Sequence, residues 1–143
     1  MLDEQHATID QAEGLKRAIA LGYQRIGITV STPEDADACR HIEAREGVRV
    51  VLFGVHLTGL SKERAAKMAG LVDVMTACAS VHVREETKKR ALLQAGTSVP
   101  VFALTQAGKE AMLERLKDVV SPLLISRSAL PHIEPHKSPR PLV

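Results

Sequence analysis

The sequence predicts an α/β fold, a three-layer Rossmann-like sandwich built on a mostly parallel sheet of about five strands. Three observations predict it. Apolar residues switch repeatedly between helical spacing and short β-branched runs, the alternation a doubly wound sheet requires. The stretch from Val50 to Gly54 is almost continuously apolar, as in strands covered on both faces. The chain has 143 residues, 45% hydrophobic and 25% charged, which is the make-up of one globular domain.

Taken in order, Asp10 starts the first helix, with Glu13 three residues on able to satisfy a free backbone N–H. Ala12, Leu15, Ala18 and Ile19 form its apolar face, and Gly22 stops it by taking a left-handed conformation. Ile26 to Val30 reads as the first strand. Thr32 caps the second helix, Pro33 stands where a missing N–H costs nothing, and Glu34 and Asp35 suit the positive helix end. Ala38, Cys39 and Ile42 supply its buried stripe, and Gly47 closes it. Val48 to Val55 is the second strand.

Ser61 caps a third helix that runs through Met68, and Leu71 to Thr76 is the third strand. A fourth helix is expected from near Val83 to just before Gly96, pairing Glu85 with Lys89 and Glu86 with Arg90 on a solvated face. Val99 to Leu104 is the fourth strand, with Pro100 near its start because proline cannot donate to a ladder. Thr105 caps a fifth helix with Met112, Leu116, Val119 and Val120 at helical spacing, and Leu123 to Ile125 is read as a final short strand. Residues 1–126 thus form a single α/β domain. Residues 127–143, with Pro131, Pro135, Pro139 and Pro141, form a proline-rich arm that either stays free or packs on the body or on a second copy.

Lys and Arg total 19 against 17 Asp and Glu, a net charge of +2. So small an excess is poorly suited to general DNA binding, and the three aromatics, Tyr23, Phe53 and Phe102, give no stacking platform for single strands. No nucleic-acid partner is expected. The start, Met1 to His6, lacks the basic and apolar segments of a signal peptide, and no apolar run reaches the ~20 residues that span a bilayer. The chain reads as cytoplasmic, with no membrane partner. Cys39 and Cys78 form no CxxC, which argues against a zinc or thioredoxin-type site. His132 and His136 recur in the arm with Glu134 alone beside them, so no metal is expected, and His6, His41 and His82 read as surface or partly packed residues. Neither GxGxxG nor GxxxxGK[ST] occurs, leaving the cofactor unknown.

Ligands of open parallel sheets bind beyond the carboxyl ends of the strands. Thr29 and Ser31 fall there after the first strand, and His56, Thr58 and Gly59 after the second. Thr76, Cys78, Ser80 and Arg84 follow the third, and Thr105 the fourth. The opposite edge carries turn residues such as Gly22, Gly47, Gly70 and Gly96. Plainer roles exist for several. Ser31, Thr32, Ser61 and Thr105 suit helix caps, Cys39 suits core packing, Cys78 a tight turn, and His56 a hydrogen bond at a crowded edge. Helix starts at this edge nonetheless offer N–H groups to an anion, and Arg84 near Cys78 could favour its thiolate.

Several segments carry a resemblance. They are Gly22-Tyr23 leading to Ile28-Thr29-Val30, Val55-His56-Leu57-Thr58-Gly59-Leu60-Ser61, and Val72 to Ser80. Gln94-Ala95-Gly96, Pro100 to Thr105, Gly108-Lys109, Leu130-Pro131 and the close Pro139-Arg140-Pro141-Leu142-Val143 complete the set. Together they resemble the methanogenesis marker protein 8 family, an uncharacterised protein of methanogenic archaea. Members of that family are longer, so the resemblance sets this chain at their carboxyl-terminal part. It brings no established catalytic residues. It implies an accessory role in methanogen metabolism, in maturation or activation of methanogenesis enzymes, with those enzymes or their assembly factors as partners.

The leading expectation is therefore an accessory module that binds a small anionic ligand or a partner at the carboxyl edge. Its ligand-binding residues are Thr29, Ser31, Thr58, Gly59, Thr76, Ser80, Arg84 and Thr105. The alternative is a small-molecule enzyme with Cys78 as nucleophile or redox thiol and His56 as base. A third reading is a homo-oligomer joined through the arm.

Overall fold

The computed structural model describes Gln5 and residues 7–143. The readings of Met1, Leu2, Asp3, Glu4 and His6 lie outside the described residues. Among the described residues, five α-helices and five strands appear in the order α1 (Gln11–Ala20), β1 (Arg25–Val30), α2 (Pro33–Glu46), β2 (Arg49–Gly54), α3 (Lys62–Leu71), β3 (Val74–Thr76), α4 (Val81–Thr87), β4 (Leu93–Ala95), β5 (Val101–Ala103) and α5 (Gln106–Leu116), followed by one 3-10 turn, Pro135–Lys137.

Local chemistry sets the helix starts. The side chains of Asp10, Thr32, Ser61, Ser80 and Thr105 each accept a hydrogen bond from the backbone N–H three residues on, satisfying a donor that the first turn leaves free. Pro33 occupies the first turn of α2, and Gly47 ends that helix at φ +67°, where a side chain would be strained.

The strands lie in the order β1-β2-β3-β5-β4. The first three are parallel neighbours, with Ile26 beside Val50 and Phe53 beside Val74. β5 runs antiparallel to both β3 and β4, with Met75 and Gln94 both opposite Phe102. The sheet is therefore mixed, and the expected mostly parallel arrangement is corrected. The cause lies in the fourth helix, which stops at Thr87 instead of near Gly96. Its predicted tail becomes β4, which turns through Gly96 at φ +75° and returns as β5. Because the helix stops early, Glu85 faces Lys88 and Glu86 faces Lys89 at 3.5 and 2.8 Å, not the pairs expected of a continuing helix. Residues 123–125 form no strand, and Leu123, Leu124 and Ile125 are exposed.

α2 packs against α3, and α1 and α4 pack alongside them; the right-handed crossover usual between parallel strands would set α2 and α3 on one face of the sheet. Val50 and Leu52 of β2 point into that layer and join Leu15, Cys39, Met68 and Met75 in one buried cluster. Each such side chain contributes roughly 1.5–3 kcal/mol on burial. α5 packs on β2 and β5 and covers part of the other face. The rest of that face is more open, with Gly27 and Thr29 exposed and the Phe53 ring close over Gly27.

At the amino edge of the sheet, Arg40 links four elements. Its guanidinium donates to Asp73 Oδ2 at 2.5 Å, Glu43 Oε2 at 2.6 Å, and the carbonyls of Leu71 and Val50 at 2.8 and 3.1 Å. Burial works against the Arg40 charge, but its hydrogen bonds to Asp73 and Glu43 outweigh that and hold its pKa above the usual value.

Beyond α5 the chain returns across the carboxyl edge. His132 and Gln94 exchange two hydrogen bonds, and Thr97 Oγ1 donates to Glu134 Oε1 at 2.7 Å. Val143 and the 79–81 segment exchange two backbone hydrogen bonds, of 2.8 and 3.0 Å. In this structure the arm packs on its own body.

Candidate functional site

The carboxyl ends of β1, β2 and β3, the turn between β4 and β5, and the returning arm meet at one rim. The loop after β3 carries Cys78, half-buried, and buried Ser80, whose Oγ accepts from Val83 N at 3.3 Å and so caps α4. One turn into α4 stands Arg84, only 4% exposed. Its Nε donates to Ala77 O at 3.2 Å, its Nη2 to the carbonyls of Cys78 and Ser98 at 2.8 and 2.9 Å, and its Nη1 to Ser138 Oγ at 3.1 Å.

Every one of those partners is neutral. Four of the five guanidinium N–H donors are engaged, and the fifth, on Nη1, has no partner among the described residues. No carboxylate among the described residues pairs with the charge. Burial lowers the Arg84 pKa from its usual value, with Cys78 opposing the shift. A buried cation held only by carbonyls and a hydroxyl is electrostatically incomplete, and an incoming anion would complete it.

Arg84 lines a groove of about 420 Å³ between α4 and the arm. Lys88 and Arg140 line it too, with Glu85 as its one acid. Arg140 Nη2 donates to Pro135 O at 3.1 Å, again a neutral partner. The remaining wall is mostly apolar, from Val81, Ile133, Pro135, Pro139 and Leu142.

The other expected site residues are distributed differently. Thr76 Oγ1 donates to Gly54 O at 3.1 Å and so ties β3 to β2. Thr58 and Gly59 are exposed on the loop after β2, where Gly59 takes φ +84°. His56, in the same loop, is exposed and takes φ +55°, a left-handed conformation uncommon for a residue with a side chain. No hydrogen bond joins His56 to Cys78. Ser31 is half-buried after β1, and Thr29 borders a separate shallow depression with Asp10 and Gly14.

Thr105 requires a correction. It follows β5, which runs against its neighbours, so it lies at the amino edge, where its hydroxyl donates to Asp73 Oδ1 and accepts from Gly108 N. It cannot share a ligand with Cys78 or Arg84 across the length of the sheet. Cys39 is fully buried in α2, and burial, reinforced by Asp35, pushes its thiol pKa up. His132 and His136 form no cluster of metal-ligating residues, nor does any set of three among the described residues.

Sequence reasoning missed Lys88, Ser138 and Arg140 at the groove, and the Arg40–Asp73–Glu43 network at the other edge. Arg140 and Ser138 sit among the arm's prolines, where no periodicity points to α4. Asp73 did carry a signal, as one acid inside the apolar run Leu71 to Met75.

The fold and the groove define an α/β protein with a partly basic, partly apolar cleft where its mixed sheet meets a returning arm. Residues 1–117 match the profile of an uncharacterized protein family conserved in archaea, DUF2099, and the chain belongs to that family. Over 143 residues, all of this chain, it is 42% identical to uncharacterized protein MJ0054 of Methanocaldococcus jannaschii, of which it spans 49% of the length. No solved structure matches it at a significant level. No helix among the described residues is long and apolar enough to cross a membrane.

Proposed function

We propose that this chain is a cytoplasmic binding module that takes a small anionic ligand at the Arg84 groove, and that it serves methanogen metabolism as an accessory protein. One observation carries the ligand class: the buried Arg84 guanidinium has four neutral partners, one free N–H and no counter-ion among the described residues. The metabolic setting is supported by the resemblance to the methanogenesis marker protein 8 family and by the relative from a methanogen. Thr58 and Gly59, exposed on the neighbouring loop, offer a docking surface for the enzymes or assembly factors the module would serve.

Titration calorimetry with inorganic phosphate and with acetate tests the ligand class. Saturable binding is expected, weakened at least tenfold in Arg84→Gln and partly retained in Arg84→Lys. Lys88→Gln and Arg140→Gln alter exposed side chains and are expected to weaken binding several-fold without affecting the fold. Heat signals that fail to saturate, or that all four variants leave unchanged, overturn the proposal.

A second reading draws on the nearness of Arg84 to Cys78: an enzyme with Cys78 as nucleophile or redox thiol and His56 as its base. It requires the His56 loop to bring the imidazole to the thiol. Loss of alkylation pH dependence in His56→Ala is the outcome expected of that enzyme, and an unchanged profile counts against it.

A further inference from the structure

We infer that the groove's ligand is an amphipathic carboxylate, a compact apolar body carrying one anionic head, clamped between α4 and the arm. The inference rests on the anion-binding reading above and specifies what the anion is attached to.

The cations and the apolar wall occupy one groove of about 420 Å³. A cavity of that size exceeds what an inorganic anion fills, and falls within the range of small-molecule pockets. Arg84 supplies a planar fork whose free N–H lies on Nη1, the nitrogen bonded to Ser138 Oγ at 3.1 Å. Lys88 and Arg140 add two cations against the single acid Glu85, which is itself 3.5 Å from Lys88 Nζ. Three cations against one acid leave the groove with a net charge of +2, which favours an anionic head.

The apolar wall belongs mostly to the arm. Ile133, Pro139 and Leu142 face Val81 across the groove, and Leu142 remains 37% exposed there. An inorganic ion would leave these surfaces wet, whereas an alkyl or alicyclic body would remove them from water. Proline walls are rigid, so little conformational freedom is lost when such a body docks. Because both the apolar wall and Arg140 come from residues 133–142, binding and arm docking are coupled. The ligand holds the arm down.

Calorimetry with the straight-chain series acetate, butanoate, hexanoate and octanoate tests the inference on the full chain. Affinity is expected to rise up to about fourfold per added methylene until the groove is full. Leu142→Ala and Ile133→Ala should flatten that slope, with the loss of affinity growing from acetate to octanoate. Hexanoate should also slow tryptic cleavage after Arg127 and Lys137. If acetate and phosphate bind through Arg84 but chain length has no effect, the amphipathic ligand is wrong and the anion site stands. If no anion binds at all, both fall. A slope that persists in Leu142→Ala and Ile133→Ala together also overturns the inference, because the apolar contact then lies elsewhere.

Discussion

Thr105 Oγ1 lies 2.6 Å from Asp73 Oδ1, and this hydrogen bond, beside that from Leu104 N to Asp73 O at 2.8 Å, joins the end of β5 to the residue just before β3. The other carboxylate oxygen of Asp73 accepts from Arg40 Nη2 at 2.5 Å and from Leu52 N at 2.8 Å. One buried carboxylate thereby gathers α2, β2, β3 and the start of α5 at the amino edge. β3 and β5 run from this anchor toward the groove at the opposite edge.

Removing Arg40 should show how much the anchor contributes to stability. Arg40→Met leaves Asp73, 4% exposed, as a buried carboxylate without its cation. A loss of about 3 kcal/mol or more is expected, read as a lower urea midpoint. Combining it with Asp73→Leu removes both charges and should recover part of that loss. A single variant as stable as the parent would show that the network is dispensable.

Gly108 sits at the same junction. A Cβ built there would fall 2.1 Å from Asp73 O and 3.2 Å from the Asp73 Cβ. Backbone cannot give way as a side-chain tip would, so α5 must shift. Gly108→Ala is expected to cost about 3 kcal/mol, at the upper end of overpacking effects, whereas Gly14→Ala, with open space around it, should change little. Equal thermal midpoints for the two variants would contradict the close packing of α5 on the β3 entry.

The cysteines should separate cleanly. Cys39 is fully buried and its pKa is raised by that burial, with Asp35 adding to the effect, whereas Cys78 is half-buried beside the Arg84 guanidinium. Iodoacetamide followed by peptide mass analysis is expected to label Cys78 in the native protein and Cys39 only after denaturation. Raising the pH to about 9 should not bring Cys39 into reach, since access as well as ionisation limits it. Equal labelling of both thiols in native buffer would refute this assignment.

These relationships explain which parts of the molecule are legible in the sequence. Helix starts at Asp10, Thr32, Ser61 and Thr105 follow from local chemistry, and each cap forms as its residue type predicts. Strand direction is not local. Leu93-Gln94-Ala95 continues a helical pattern in sequence, but pairing with β5 makes it a strand, and that one change reverses β5 and carries Thr105 to the other edge. The groove was half visible. Arg84 is found by position after β3, whereas Ser138, Arg140 and Leu142 reach it only through the path of the arm, which contacts more than 40 residues away do not announce.

The arm's own attachment should respond to acid. Glu134 is its clasp: Oε1 accepts from Thr97 Oγ1 at 2.7 Å, Lys137 Nζ lies 2.7 Å from Oε2, and His136 Nε2 lies 3.5 Å from the same oxygen. The hydrogen bond from Lys137, followed by that from Thr97, holds the Glu134 carboxyl below the usual carboxylate range. A carboxyl depressed in the folded state favours docking wherever it is ionised in both states, so the contribution is complete above the usual range. It fades as pH falls through that range toward the folded value, where docking must be bought with a proton kept off Glu134. Hydrogen exchange at the amides of Lys137 and Ser138, which donate to Glu134 O and Pro135 O, should therefore lose protection at low pH after correction for intrinsic rates. Glu134→Gln keeps an acceptor for Thr97 but abolishes the charge facing Lys137. It should show weaker protection at neutral pH and a flatter response to acid. Protection that falls equally steeply in Glu134→Gln would place the acid-sensitive contact elsewhere in the arm.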